Sequence, residues 1–230
     1  MNATDPLVSV VVTSYNYGRF LPGAIDSVLA QTYPNLEIVL VDDGSADDTA
    51  EIAANYADSV RYIRQTNQGA ARARNTGIAA TTGSVVAFLD ADDQWFPDKI
   101  AKQVAHLRDH PEIGLVSCHA YACDEEMRIE STVHAAEWAS RWMLERLLVR
   151  NVVLNPTCAL VRREALDRVS GFSELKQWED WDTWLRIAKS YPLGFVPEPL
   201  AKVRRHARGL SPKHGLEHLA LDQTVFDRHA

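Results

Sequence analysis

Val85-Val86-Ala87-Phe88-Leu89-Asp90-Ala91-Asp92-Asp93 is the stretch on which the reading of this chain turns: an apolar run of strand length that ends in three carboxylates. Continuous hydrophobics of this length predict a strand buried on both faces, and Gly83 before it and Pro97 after it mark a turn and a helix start. The acids then stand at the carboxyl edge of a sheet, where open α/β sheets bind their ligands. Carboxylates so close repel one another unless a cation or hydrogen-bond donors offset the charge. In an extended segment the Asp-Ala-Asp spacing turns two side chains to one side, which suits a hard divalent ion bridging to phosphate oxygens. A solvated acidic turn ahead of the next helix is the alternative that these residues leave open.

Upstream, Leu7 to Thr13 is a β-branched run that reads as the first strand, with Ser14 to Gly18 as its exit loop. Pro22 fits the first turn of a helix whose apolar positions Leu21, Ile25, Val28 and Leu29 recur at helical spacing. A second strand, Leu36 to Val41, again stops on acids, Asp42 and Asp43, and Gly44, Ser45 and Asp47 supply turn and capping chemistry for a helix over Thr49 to Tyr56. Val60 to Ile63 makes a short third strand. Asn67-Gln68-Gly69 opens an alanine-rich helix that carries Arg72, Arg74 and Asn75. Downstream come a helix from Asp98 to Asp109 and a strand from Leu115 to Tyr121. Strand and helix thus alternate, which with right-handed crossovers predicts an α/β fold, a mostly parallel sheet with helices on both faces.

Beyond Tyr121 the alternation loosens. Asp124 to Glu130 reads as a charged loop, Trp138 to Leu148 as an amphipathic helix, and Thr157 to Val161 as a strand followed by a short helix ending at Gly171. Trp138 and Trp142, one turn apart, suit either core packing or stacking on a sugar face. Trp178-Glu179-Asp180-Trp181-Asp182-Thr183-Trp184 interleaves three acids with three tryptophans at a helix start. Capping explains acids there; burial beside aromatics would also raise a carboxylate into the range of a useful base. The chain closes on a strand from Leu200 to Arg205, the cluster Arg204-Arg205-His206 suited to phosphate oxygens, and a helical segment over Gly215 to Arg228.

The 230 residues are 46% hydrophobic and 24% charged, as expected of a single soluble globular domain, and the formal net charge of -7 argues against nucleic acid as a partner. Cys118, Cys123 and Cys158 have no metal-ligand spacing and read as small core residues; an odd count without a secretory leader points to reduced thiols in the cytoplasm. No apolar run approaches the roughly 20 residues that cross a bilayer, so membrane contact is peripheral at most.

Together these landmarks resemble the family 2 glycosyltransferases of the GT-A fold, which mostly transfer a sugar from a nucleotide-diphosphate donor with inversion. The resemblance spans Leu7 to Ser211 and rests on Val8-Ser9-Val10-Val11-Val12-Thr13-Ser14-Tyr15-Asn16, on Val41-Asp42-Asp43-Gly44-Ser45-Ala46-Asp47, on Ala73-Arg74-Asn75-Thr76-Gly77, on the acidic strand end and on Glu179-Asp180, in the family's order. It implies that residues from about 7 to 122 hold the nucleotide sugar, about 123 to 211 the acceptor, with 212 to 230 a tail. It further implies that Thr13 and Tyr15 contact the donor base, that Asp43 accepts from its imide, that Arg74 supports the pocket and that Asp90 lies near the ribose. Asp92 is implied as ligand of Mn²⁺ or Mg²⁺, Asp180 as the base, and His206 with Arg204 or Arg205 as part of a loop closing over metal and phosphates.

The residue chemistry is consistent with that picture, since a departing diphosphate needs its charge neutralised and inversion needs a base on the opposite face of the sugar. Asp182 and Glu179 are rivals to Asp180, although about 100° per helical residue turns Asp182 away from a cleft that Asp180 faces. The expected donor is a UDP-sugar, although an aspartate serves uracil and thymine alike. The expected acceptor is a saccharide or a lipid-linked sugar, in polysaccharide or glycoconjugate biosynthesis, and the lack of a long anchoring tail favours one sugar per encounter. The rival readings are a sugar nucleotidyltransferase, which would want more than the one glycine in Ser14 to Arg19, a phospho-acceptor receiver about half this length, and a nucleotide-binding module without catalysis.

Overall fold

The computed structural model describes residues 5–135, 143–175, 178–206 and 229. Trp138, Trp142 and the segment Gly215 to Arg228 lie outside them. Val8–Ser14 (β1), Leu21–Leu29 (α1), Leu36–Asp42 (β2), Thr49–Ala54 (α2), Arg61–Arg64 (β3), Ala70–Ala79 (α3) and Val85–Asp90 (β4) form the alternating half. Gln94–Trp95 (β5), Lys99–Asp109 (α4), Leu115–Cys123 (β6), Ile129–Val133 (β7), Met143–Val149 (α5), Leu160–Arg162 (β8), Arg163–Arg168 (α6), Glu179–Ala188 (α7) and Leu193–Arg204 (β9) follow. The sheet runs β3-β2-β1-β4-β8-β6-β9-β5, with β7 beside β6. Strands β3, β2, β1 and β4 are parallel, as are β6 and β9, whereas β8 runs antiparallel to both its neighbours.

Alternation along the strands divides the core in two, because successive side chains point to opposite faces. Val8, Val10, Val12, Ala87 and Leu89 pack with Leu21, Ile25 and Ile100 of α1 and α4. Val11, Val86 and Phe88 pack with Ala71 and Ile78 of α3 and with Trp181, Trp184 and Ile187 of α7. Trp181 and Trp184 are fully buried, and removing side chains of that size from water contributes upward of about 3 kcal/mol each. Register then sets the edge. Thr13 pairs with Asp90 and Ser14 with Asp42, so three strands end together.

Four expectations need correction. Asp92 is not in an extended segment: the Asp93 amide donates to the Asp90 carbonyl at 3.0 Å, closing a turn. Most of the charged run from Asp124 is a loop, but Ile129–Val133 pairs with β6, an exposed strand with no apolar alternation to announce it. Thr157 belongs to a 3₁₀ turn, Pro156–Cys158, before β8, because the fixed φ of Pro156 opens a turn. Finally, β9 begins at Leu193 rather than Leu200; Pro197 and Pro199 interrupt its pairing with β6 and shift the register there.

Candidate active site

Arg74 is the hub of the carboxyl edge. Small residues of α3 let it lie against the sheet, and its side chain is only 6% exposed. Its Nη2 donates to Asp90 Oδ1 and its Nη1 to Glu179 Oε1, both at 2.8 Å. Burial opposes the charge, but Asp90 and Glu179 outweigh it and hold the guanidinium more firmly protonated than usual. Thr13 Oγ1 donates to the same Asp90 oxygen at 3.2 Å. One buried cation therefore ties the end of β4 to the start of α7, with Glu179 lying 105 residues from Arg74 in sequence.

On one side of Asp90 lies the turn carrying Asp92 and Asp93. Asp92 Oδ2 is 2.9 Å from His206 Nε2, whose ring is held edge-on to Tyr17 at 5.3 Å and tilted against Phe20 at 5.2 Å. Burial, with Asp90 beside it, raises the Asp92 carboxyl, and the His206 contact opposes that. Asp93 is buried, and burial together with Asp92 and Asp90 pushes it well above the usual carboxylate range. Burial and the Asp92 charge also lift Tyr17 to about 12, so its hydroxyl keeps its proton. Arg204 Nε donates to the Asp92 carbonyl at 2.8 Å, Nη1 reaches the Glu125 carbonyl, and the guanidinium stacks on Phe20 at 4.3 Å. Arg205 is exposed and contributes its amide to the Cys123 carbonyl.

On the other side lies α7. Asp180 and Glu179 occupy its first turn, and the Trp181 amide donates to Asp180 Oδ1 at 2.7 Å. Burial and then the Glu179 charge raise the Asp180 carboxyl to about 7, against the pull of Arg74. Asp182 points elsewhere: it takes Arg186 Nε at 2.8 Å and His229 Nε2 at 2.9 Å and is 1% exposed. Glu179 is occupied by Arg74. Trp178, which caps the helix, has a φ of 64°, a left-handed conformation costly for a bulky residue and concentrated at functional sites.

Asp43 and Tyr15 stand apart from the carboxylates. Asp43 Oδ1 accepts from Gln65 Nε2 at 2.7 Å and the Gln68 amide at 2.9 Å, and Oδ2 from the Gly69 amide at 2.8 Å. Its carboxylate therefore shapes the loop before α3 and keeps acceptor capacity for little more than one further donor. Tyr15 is 47% exposed in the loop that follows β1. Sequence reading missed Glu179 as partner of Arg74, Tyr17 against His206, and Thr157, whose Oγ1 donates to Asp93 Oδ2 at 2.6 Å. No local signal marks these pairs, since each joins residues far apart in the chain.

Among the described residues no group of three or more His, Cys, Asp or Glu side chains is placed to hold a metal ion. Asp92 and His206 offer two donors, which fits an ion such as Mn²⁺ or Mg²⁺ that takes one or two protein ligands and completes its shell with water and substrate phosphates. The crowding of Asp90, Asp92 and Asp93 is also what a bound cation relieves.

The sheet order and this edge of carboxylates define a GT-A fold with a site at its carboxyl end. Residues 9–170 match the profile of the glycosyl transferase family 2, and the chain belongs to that family. It is 31% identical over 214 residues to an uncharacterised glycosyltransferase of Rickettsia prowazekii, covering 90% of this chain and 66% of that protein. A mannosyltransferase of Pyrobaculum calidifontis, solved in complex with GDP-Man and Mn²⁺, is 27% identical with a TM-score of 0.71 over 90% of this chain and 59% of its own. Staphylococcus aureus TarS, solved with UDP-GlcNAc, shares the fold at 22% identity and a TM-score of 0.72, over 96% of this chain and 63% of its own. The chain thus spans about two-thirds or less of the length of these relatives.

Proposed function

We propose that the chain moves a sugar from a nucleoside-diphosphate donor, a UDP-sugar, to a hydroxyl of a saccharide or lipid-linked acceptor, with inversion and with the help of a divalent cation. The observation that supports this reading is Arg74, whose one buried guanidinium holds both Asp90, two residues before Asp92, and Glu179, next to Asp180. Asp92 and His206 would hold the cation, which supplies charge neutralisation to the departing diphosphate. The cation in the Pyrobaculum relative supports that choice, and the GDP-Man beside it makes a guanine donor the rival to uracil. Thr13, Tyr15 and Asp43 would contact the base, with Asp90 near the ribose and Arg74 behind it. Arg204 would act by ordering the loop with its backbone contacts, leaving Arg205 as the arginine exposed toward phosphates.

Asp180 would serve as the base. As the acceptor oxygen bonds to the anomeric carbon, the bond from that carbon to the diphosphate oxygen breaks and the acceptor proton passes to the Asp180 carboxylate. A carboxyl raised to about 7 by its surroundings is matched to that task near neutral pH. We place the reaction in the cytoplasm, because Cys118, Cys123 and Cys158 are all free thiols. Substitution tests the assignment: Asp180→Asn should bind the nucleoside diphosphate as the parent does while transfer falls by roughly 10²- to 10⁴-fold. Turnover equal to the parent's would move the base elsewhere.

A further inference from the structure

Asp93 and Thr157 have no part in the chemistry above, yet they are 3% and 0% exposed. Thr157 Oγ1 donates to Asp93 Oδ2 at 2.6 Å and accepts from the Asp90 amide at 3.4 Å. Asp93 Oδ1 accepts the Arg204 amide at 3.0 Å, and Arg204 Nε donates to the carbonyl of Asp92 at 2.8 Å. The indole of Trp95 anchors the other side of Thr157 by donating to its carbonyl at 2.9 Å. Three separate pieces of chain, the end of β4, the 3₁₀ turn and the end of β9, thus meet on one buried carboxyl.

Such an arrangement is a poor device for stability alone. A buried acid costs desolvation that a well-packed apolar pair of the same volume does not incur. What it does provide is geometry. The geometry points to Asp93, oriented by Thr157, as the positioning residue of the cation half-site: it pins the last residue of β9 so that His206, two residues on, stands against Asp92. Because Asp93 follows Asp92 directly and Arg204 grips both, a shift of β9 is transmitted to the spacing of the two donor atoms, now 2.9 Å apart. Neither Asp93 nor Thr157 is among the donors that would hold the cation. Groups that orient a metal's ligands in this way typically change affinity by roughly 10- to 100-fold when removed.

This inference rests on the cation reading of Asp92 and His206, and the experiment separates the two. Mn²⁺ is titrated into the whole chain, alone and with UDP or GDP present, and followed by the loss of the free-ion electron paramagnetic resonance signal. Thr157→Val, which keeps the shape and removes the hydroxyl, should weaken Mn²⁺ by roughly 10- to 100-fold with nucleotide affinity in the absence of metal unchanged. Thr157→Ser, which keeps the hydroxyl, should bind Mn²⁺ as the parent does. Should Thr157→Val fail to fold, Asp93→Asn, which retains one acceptor oxygen for the Arg204 amide, should show a loss in the same direction. The inference is overturned if Val and Ser at 157 bind Mn²⁺ alike, or if metal-free nucleotide affinity falls in step with Mn²⁺ affinity. A parent that takes up no Mn²⁺ defeats the cation reading itself, and this inference with it.

Discussion

Asp180 sits among charges that pull in opposite directions, and the outcome can be read in solution. Burial and Glu179 raise its carboxyl, Arg74 lowers it, and the balance lies at about 7. A carboxyl whose folded pKa exceeds its unfolded one adds stability at low pH and loses it as pH rises through the folded value. The parent should therefore lose stability relative to Asp180→Asn as pH climbs from the ordinary carboxylate range to about 7, which thermal midpoints of the two proteins across that window check. On the proposed role of Asp180 as base, transfer should move the opposite way, the rate rising with pH through about 7 and then levelling. A rate indifferent to pH across neutrality would remove Asp180 from the role. At this scale the sequence shows which acids stand at strand and helix ends, and helical geometry alone turns Asp182 away. It does not show that Glu179 neutralises Arg74 or that Thr157 steadies Asp93, because those contacts bridge 105 and 64 residues and leave no local pattern.

Helix α3 joins the halves through Arg74, and it lies close against β1. A Cβ on Gly77 would come within 2.2 Å of Val11 Cγ1. Gly77→Ala should therefore destabilise the protein by about 1–3 kcal/mol through overpacking, even though alanine favours helices. Chemical denaturation measures it; an unchanged midpoint would mean that α3 has room to move. The same helix places Arg74 toward Asp90 and lets Asn75 clasp Phe172, donating to its carbonyl and accepting its amide at 2.8 Å each. Elements with a strong period were legible, as the β1 to β4 alternation shows. Those built against their composition were not: β7 is exposed almost throughout, and β9 is broken by two prolines that a sequence reading takes as its limit.

At the scale of the molecule, one sheet carries two working arms. Parallel strands β1 to β4 deliver Thr13, Asp42 and Asp90 to a common edge, while β9 returns from the far side to bring His206 to Asp92, and α7, packed on Phe88 through Phe172 and Trp184, delivers Asp180. The fold class follows from the strand and helix alternation around the strand that ends in acids, and the candidate site residues from the family resemblance; their mutual placement follows from register, which a single sequence does not contain. Calorimetric titration of UDP and GDP, with and without Mn²⁺, into the parent and Asp92→Ala tests this account most directly. One diphosphate should bind the parent and bind it more tightly with Mn²⁺, and Asp92→Ala should lose that enhancement. If neither nucleotide binds, or if Asp92→Ala responds to Mn²⁺ as the parent does, the acids closing β4 have another purpose.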